Sequence, residues 1–502
     1  MPLYLLYHEH FGRGDFYYGD IWHSSSYYSS LHGVLFGISW YVKRRAAAST
    51  EDYVLAGRKL TTPLIMVSIV GLAVGGASTI GVSEQAYKVG LSAGWYTAAW
   101  GIGAIVMGLT VAKKYRNLNI TTIPEMLERY YDKKSLIAGI SCQILVQLVV
   151  MSLQYVAGGA ILSALMPNIF TPITGMLTSA VVFIGITAIG GMWSASQSNI
   201  LNVTLQYIGI TVAAFLILAM AGGIDTVAIQ APSTVSLDLI DGVGPMTIVT
   251  WIVVLITVNL SLQAIIQISL GAKDVQTARR GFIIGGLIML PVGFIAALMG
   301  VIASEIYPNI TATTALPKLI MGLNPWLAGV TLASLWAADV STACNLLLSA
   351  ATLYSQDIHK RFINPSMSDK QYMRVTRLSV VILGLLTLGG ALTISGIIST
   401  LMAGLSLMAA FGVIVLMTMY APQYCSRDAA FYTLLMGVVV LVAWMLVPAV
   451  RVLPHVIYAE WIMCGVTFLG ISFATRRVHA IDVEGVRALQ QEDKTSAVPA
   501  QH

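Results

Sequence analysis

The feature that most constrains this chain is a series of apolar segments, each about as long as a membrane-spanning helix. A bilayer core about 30 Å thick requires roughly 20 apolar residues per helix. Twelve such segments lie between charged or Pro/Gly-rich breaks, and they begin near Leu64, Ala93, Leu136, Ile173, Ile200, Met246, Phe282, Trp326, Leu378, Ile398, Phe431 and Val456. An open sheet edge cannot face lipid. The sequence therefore predicts an all-α polytopic membrane protein.

The composition agrees with this prediction. Hydrophobic residues make up 57% of the 502 residues and charged residues only 10%, with a mean hydropathy of +0.78. Such values exclude a soluble enzyme, and no polar block is long enough to form a second domain. A weaker thirteenth segment covers about residues 26–42 and is interrupted by Ser29, Ser30 and His32. We expect about 13 transmembrane helices in one body that contacts the lipid bilayer.

The basic residues predict the direction of the spans. If thirteen spans alternate, 24 of the 28 Lys and Arg residues lie on one side, and the other side has only Arg13, Lys88, Lys318 and Arg451. The positive-inside rule assigns the basic side to the cytoplasm, which places the C-terminus inside. We expect a multi-pass protein of the plasma membrane, which in a bacterium is the inner membrane. The net charge of +5 reflects loop topology, and no nucleic-acid partner is expected.

Asp339 is the acidic residue nearest the middle of a confident span. An ionisable group in hydrocarbon is costly, so its presence indicates a functional site. The alternative is a neutral or hydrogen-bonded carboxyl that fixes helix packing.

On the same helix, Ala338, Ser341 and Thr342 fall at positions i, i+3 and i+4, which places them on one face. Two hydroxyls and a carbonyl thus converge, and a hard cation such as sodium binds oxygen ligands. The alternative is that the hydroxyls bond to their own helix or to a neighbouring helix.

Residues 70–81 of the first confident span contain four glycines together with Ser78 and Thr79. This composition weakens a helix at mid-membrane, where unwound backbone is tolerated if it lines a cavity. Broken helices at this depth are typical of transporter binding sites. Close helix packing through small residues is the alternative.

The sixth confident span carries a polar stripe. Asn259, Gln263 and Gln267 are spaced i, i+4, i+8, so they either line a cavity or form a hydrogen-bonded seam. The first and sixth spans each open a group of five helices. Because five is odd, the second group enters the membrane inverted, and inverted repeats place discontinuous helices in corresponding positions.

Five short segments, in order, resemble the sodium:solute symporter family, which includes sodium/glucose, sodium/proline and pantothenate transporters. They are EDYVLAGR at 51–58, TIPEMLERY at 122–130, the glycine pair at 190–191, the segment 272–281 and the segment 341–360. The resemblance implies a LeuT-type fold with two inverted five-helix repeats plus flanking helices. It also implies sodium as the coupling ion, bound where the unwound first core helix meets the eighth.

The resemblance places the metal ligands residue by residue. With Ile80 and Gly81 as the anchor, the backbone carbonyl ligands fall on Gly71 and Val74. The ligands from the eighth core helix fall on Ala338, Ser341 and Thr342. These are the same positions at which two hydroxyls and a carbonyl converge on one face of the helix.

The implied organisation has five parts. They are an N-terminal segment with a weak transmembrane helix (1–60), a first repeat (61–221), a second repeat with an external loop (222–420), two peripheral helices (421–475) and a disordered cytoplasmic tail (476–502).

The chain departs from the family at several positions. Asn199 stands where many members have an aspartate near the sodium path, and Ile268 follows Gln267 where many members have an arginine. Many members also have an aromatic gate residue just before this position, where this chain has Leu, Gln and Ala at 262–264. We expect Asp339 either to offset the charge missing at Asn199 or to act as a proton site. Both residues are therefore candidates for ion or proton coupling.

The sequence predicts a secondary active transporter that carries a small organic solute into the cell with sodium by alternating access. The candidate substrate contacts are Ser78, Gln147, Asn259 and Gln263. A neutral or zwitterionic solute, or a carboxylate that meets helix ends, is expected, because no Lys or Arg lies in the cavity-forming spans. The alternatives are a proton-coupled or uncoupled carrier and a solute-sensing module. No enzymatic activity is expected, because the spans contain no cluster of catalytic side chains.

Overall fold

The computed structural model describes residues 49–118, 120–392, 397–482 and 484. The weak span predicted at 26–42 and most of the predicted tail lie outside the described residues. Within them the α-helices are α1 (Thr50–Leu55), α2 (Thr62–Ala73), α3 (Ile80–Val89), α4 (Trp95–Leu109), α5 (Ala112–Asn117), α6 (Ile123–Tyr130), α7 (Lys133–Leu165), α8 (Pro172–Met220), α9 (Ile224–Gln230), α10 (Pro245–Ser261), α11 (Gln263–Leu270), α12 (Val275–Ile306), α13 (Ala315–Met321), α14 (Pro325–Thr352), α15 (Asp369–Ala391), α16 (Ile397–Ser406), α17 (Met408–Tyr420), α18 (Ala429–Leu446) and α19 (Val456–His479).

Side-chain caps fix where the long helices begin. Asp132 accepts a hydrogen bond of 2.7 Å from the Ser135 N–H at the start of α7, and Asp274 accepts one of 2.7 Å from the Thr277 N–H at the start of α12. A capping box begins α8, with a proline in its first turn. These caps supply acceptors for N–H groups that have no partner within the helix.

The predicted spans are present. Eight helical segments are each long and apolar enough to cross a membrane, and four helix pairs pass the same test together but are bent at a short break. With each bent pair counted as one span, the described residues contain 12 spans. Most of these spans leave one side exposed at the surface of the protein, whereas α14 is buried at every residue from Thr331 to Thr352.

The fourth and fifth spans join directly, without the loop that usually separates two spans. Helix α8 is continuous in hydrogen bonding but turns at Gly191, which has φ +54° and ψ −148°. A Cβ at this position would lie 2.5 Å from the Tyr53 carbonyl oxygen. Only glycine adopts this conformation at no steric cost and also leaves room for α1.

The first and sixth spans are both broken. Helices α2 and α3 are bent by 71°, and α10 and α11 by 50°. The first break contains two of the four predicted glycines, Gly75 and Gly76. The second break is at Leu262, which has φ −76° and ψ 126° and therefore extended backbone between two helices. Broken helices thus occupy corresponding places in two successive groups of five spans, as an inverted-repeat fold requires.

Candidate functional site

The first broken span departs from the α-helix over six residues, 74–79. Helix α2 ends at Ala73, Gly75 has extended backbone with φ −97° and ψ −153°, and a 3-10 turn over Gly76–Ser78 precedes α3. Glycine is required here because neighbouring side chains come close. A Cβ on Gly75 would collide with the Thr342 hydroxyl, and a Cβ on Gly76 would lie 2.8 Å from Asp339 Oδ1. The break is thus packed directly against α14.

Four oxygen atoms converge where α2 approaches α14. Ser341 Oγ lies 2.7 Å from the Gly71 carbonyl oxygen and 2.7 Å from that of Ala338. Thr342 Oγ1 lies 2.8 Å from the Gly71 oxygen and 3.3 Å from the Ala338 oxygen. Each hydroxyl has one proton to donate and two lone pairs. A cation at this cluster would therefore meet two carbonyl oxygens and two hydroxyl oxygens.

Val74, the fifth predicted ligand, has a different partner. Its carbonyl oxygen accepts a hydrogen bond of 2.9 Å from Gln206 Nε2, which lies on the part of α8 that follows the turn at Gly191. The carbonyl is free of the α-helical hydrogen-bond pattern, as predicted for an unwound segment. Because a carbonyl oxygen has two lone pairs, the bond to Gln206 occupies one of them.

Asp339 lies beside the first break, and Asn199 lies beside the end of α2 that precedes it. Asp339 is fully buried beside Gly76, and within the described chain neither of its carboxylate oxygens has a hydrogen-bond partner. Asn199 is fully buried beside Gly71, and both polar atoms of its side chain are likewise unpaired. A Cβ on Gly71 would lie 2.8 Å from Asn199 Nδ2.

Helix α8 carries a polar stripe that was not predicted as a whole. Asn199, Asn202 and Gln206 follow the i, i+3, i+7 spacing of one helix face, and all three are buried. Asn199, Asn202 and Ser341 line one small cavity. The i, i+3, i+7 spacing of these three residues in the sequence is the signal from which the stripe could have been predicted.

Two glutamines on α7 form hydrogen bonds to the backbone of the two helix breaks. Gln154 Oε1 accepts a hydrogen bond of 3.1 Å from the Gly76 N–H in the first break. Gln143 spans the second break, because its Nε2 donates to the Ser261 carbonyl at 2.7 Å and its Oε1 accepts from the Gln263 N–H at 3.1 Å. The backbone groups that each break leaves without a helical partner are thus satisfied from a neighbouring helix.

The four predicted substrate contacts bond to backbone. Ser78 Oγ donates to the Ala73 carbonyl at 2.6 Å, Gln147 Nε2 to that of Gln143 at 3.2 Å and Asn259 Nδ2 to that of Leu255 at 2.8 Å. Gln263 Oε1 accepts from the Ile123 N–H at 2.8 Å, which ties α11 to the start of α6. In a bundle interior, polar side chains often satisfy themselves on nearby backbone.

A cavity of only about 20 Å³ beside the first break has a different lining. Its walls contain Leu72, Ala73, Gly75, Ala77, Tyr96, Trp100, Val150, Gln154, Leu262, Thr342, Leu346, Leu401 and Leu405. None of the four predicted contacts is among these residues. The cavity does adjoin the oxygen cluster, because Thr342 belongs to both.

Comparison with known proteins agrees with this arrangement. The profile of the sodium:solute symporter family matches residues 53–437. A sodium/glucose cotransporter from Vibrio parahaemolyticus is 27% identical over 413 residues, covering 74% of this chain and 74% of the relative. A sodium/proline symporter from Haemophilus influenzae is 28% identical over 427 residues, covering 78% of this chain and 82% of the relative.

A solved structure has the same fold. A Na+-coupled sialic acid symporter in a substrate-bound outward-open state superposes with a TM-score of 0.73 at 16% sequence identity. The match covers 90% of this chain and 98% of that chain.

A helical membrane bundle whose first and sixth spans are broken, with an oxygen cluster at the first break, is typical of secondary transporters of the LeuT type. This chain belongs to the sodium:solute symporter family. It is a sodium-coupled symporter, and sodium is its coupling ion. The predicted family, the all-α LeuT-type fold and sodium-coupled transport are thus confirmed.

Proposed function

We propose that sodium binds where the first broken span meets α14 and that its binding drives uptake of a small neutral or zwitterionic solute. The convergence of the Ser341 and Thr342 hydroxyls on the Gly71 carbonyl oxygen supports this site. The carbonyl oxygens of Val74 and Ala338 complete the proposed set of five ligands. Hard cations bind such oxygen ligands, and unwound backbone supplies the carbonyls.

Sodium would couple two structural parts. Gly71 belongs to α2 and its break, whereas the two hydroxyls belong to α14. A cation held between them favours the arrangement in which α2 and α14 are close, and a ligand shifts an equilibrium only through such differential binding. The solute then binds beside the break, and rocking of one helix group against the other exposes both ligands inward.

The solute's charge is inferred from the cavity beside the break. Its thirteen lining residues include no Asp, Glu, Lys, Arg or His. An ionic solute buried there would have no fixed side chain of opposite charge, and an unpaired buried charge is costly. The names of relatives do not decide the charge of the solute, because glucose and proline are neutral or zwitterionic whereas pantothenate and sialic acid are carboxylates.

The proposed direction is inward, with the C-terminus in the cytoplasm. Most Lys and Arg residues lie on the side that carries the segment 272–281 and the C-terminal end of α19. This asymmetry follows the positive-inside rule. The bacterial relatives fit a location in the inner membrane.

A specific observation favours a second candidate. The buried Asp339 carboxylate has no hydrogen-bond partner among the described residues and lies beside the break. A proton-coupled carrier on the same fold would use such a group.

The two candidates differ in the gradient that drives uptake. Purified protein in proteoliposomes would be given a mixed panel of radiolabelled sugars, amino acids and small carboxylates. An inward sodium gradient should drive accumulation of one solute at equal pH on both sides. Accumulation driven by a proton gradient in potassium-only buffer, with no sodium effect, would contradict the proposal.

A further inference from the structure

We propose that Glu460 carries a proton and, as a neutral carboxylic acid, holds the bend of the tenth span. The tenth span is the pair of helices α16 and α17, which are bent by 42° at Leu407. Glu460 lies on α19, the last span, which follows the two groups of five. The proposal goes beyond the proposed function, because it requires neither the sodium site nor the identity of the solute.

Glu460 is a carboxyl group inside the bundle without a cationic partner. Its side chain is fully buried, and its Oε2 atom has no hydrogen-bond partner among the described residues. No Lys, Arg or His in the described part of the chain forms an ion pair with it. The titratable side chains that interact with it are the thiols of Cys142 on α7 and Cys464 on α19. An unpaired buried charge is costly in a membrane, and a proton on the carboxyl group removes this cost.

The Ser406 hydroxyl indicates where the proton of Glu460 lies. Ser406 Oγ is 2.8 Å from the Ala403 carbonyl oxygen of its own helix and 3.3 Å from Glu460 Oε1. A carbonyl oxygen can only accept, so the shorter contact takes the single hydroxyl proton of Ser406. The contact with Glu460 is then a hydrogen bond only if the carboxyl group donates, which an ionised carboxylate cannot do. The geometry therefore favours the protonated acid.

The bend lies between two other spans. Ser406 is the last residue of α16 and contacts Glu460 on α19. Ser261, the last residue of α10, places its Oγ 3.2 Å from the carbonyl oxygen of Met408, the first residue of α17. The bend is therefore in contact with the sixth span through Ser261 and with the last span through Glu460.

Helix α19 is itself fixed against α10. The Tyr458 hydroxyl lies 2.9 Å from Thr250 Oγ1, and Trp461 Nε1 donates to Thr257 Oγ1 at 3.0 Å. Tyr458 and Trp461 are spaced i, i+3 and therefore lie on one face of α19. Glu460 lies between these two residues along the chain. Its carboxyl group thus contacts α16 from a helix that is anchored to the sixth span.

The bend matters for transport because α16 packs beside the first broken span. Leu405, the residue before Ser406, lines the small cavity beside the first break together with Gly75 and Thr342. A rotation of α16 at Ser406 would displace this leucine relative to the break. Glu460 is therefore a positioning residue, which acts through α16 and contacts neither the ion nor the solute.

Infrared spectroscopy of the purified protein in lipid vesicles tests the protonation state. A protonated carboxyl group has a C=O stretching band that an ionised carboxylate lacks. The spectrum of Glu460→Gln would be subtracted from that of the wild type in potassium buffer at neutral pH, so the test is independent of the sodium site. We expect a protonated-carboxyl band in the difference spectrum. A band of an ionised carboxylate in its place would overturn the proposal.

Hydrogen exchange of the backbone amides of α16 tests the hold on the bend. Glu460→Gln keeps the shape of the side chain and a donor for Ser406, so α16 should exchange at the wild-type rate. Glu460→Leu has a similar size but no donor, so exchange in α16 should become about fivefold faster. If Glu460 only fills space, leucine should serve as well as glutamine, because an apolar side chain is not penalised by burial. Equal exchange in the two variants would contradict the positioning role.

Ser406→Ala removes the same contact from the other side. Ser304→Ala is the matched control, because Ser304 is a buried serine whose hydroxyl bonds to the carbonyl three residues earlier, that of Val301, at 2.7 Å. Exchange in α16 should become about fivefold faster in Ser406→Ala and stay unchanged in Ser304→Ala. Glu460→Leu should add nothing to Ser406→Ala, because both remove one interaction. Additive effects of the two substitutions would contradict a bond between these side chains.

Discussion

Gln143 and Gln154 lie eleven residues apart on α7, and each bonds to backbone at the break of a different broken span. Eleven residues are about three helical turns, so both side chains lie on the same face of α7. One helix, α7, thus contacts the backbone of both helix breaks.

Replacement of Gln154 by leucine should weaken sodium binding. The Gly76 N–H would lose its acceptor, at a penalty of about 1–3 kcal/mol. The break would then relax away from Thr342, and the half-saturating sodium concentration should rise several-fold. Sodium titrations of the unfolding temperature measure this effect. Gln147→Leu is the control, because the Gln147 amide bonds only within its own helix. Equal effects of the two variants would show that Gln154 has no special role.

Gly76→Ala should abolish the sodium response. The added Cβ would collide with Ala157 and approach Asp339, so the break must shift. Gly465→Ala is a suitable control, because a Cβ at this position in α19 meets nothing within 4 Å. The control should be neutral or stabilising by about 1 kcal/mol through helix propensity. A normal sodium titration in Gly76→Ala would show that the geometry of the break is not required.

Asp339→Asn should raise the half-saturating sodium concentration. The variant keeps the shape of the side chain and removes a negative charge close to the proposed cation. Transport would be measured as a function of sodium and of pH. A pH profile that flattens only in the variant would support the proton-coupled alternative. Unchanged sodium dependence together with an unchanged pH profile would remove Asp339 from the mechanism.

Asp274→Ala should destabilise the protein by about 1 kcal/mol through loss of the cap on α12. Partial burial of the Asp274 carboxyl tends to raise its pKa, but hydrogen bonds from the Thr277 N–H and hydroxyl outweigh this and lower the pKa below its usual value. A lowered folded-state pKa contributes stability above the unfolded pKa, and this stability is lost as the pH falls through the folded pKa. The gap between wild type and Asp274→Ala should therefore narrow in acid. Asp225→Ala, at an exposed site in α9, is the control, and an equal loss there would contradict the prediction.

The parts of the fold that depend on local sequence were predictable. Hydropathy located the twelve spans, and the glycines near Gly75 and Gly76 located the first break. The second break was predicted only as the counterpart of the first, because Leu262 and its neighbours contain no helix-breaking residue. Gln143, from a distant part of the chain, stabilises that break.

The site was predictable to the extent that it depends on spacing along one helix. The positions of Ser341 and Thr342 on one face of α14 follow from their separation, and both hydroxyls meet Gly71. The bond between Val74 and Gln206 and the lining of the cavity depend on which helices become neighbours. Ser78 and Asn259 were predicted as solute contacts from their places in the first break and on the sixth span. The bonds of their side chains to nearby backbone depend on how the broken helices fold and could not be predicted from the sequence.

Equilibrium binding of radioactive sodium to the purified protein tests the central claim most directly. The double variant Ser341→Ala/Thr342→Ala should bind sodium at least about tenfold more weakly than wild type, since two of the five proposed ligands are lost. Thr352→Ala should bind like wild type, because this buried hydroxyl on the same helix bonds to the Leu348 carbonyl at 2.7 Å. Wild-type sodium affinity in the folded double variant would contradict the account.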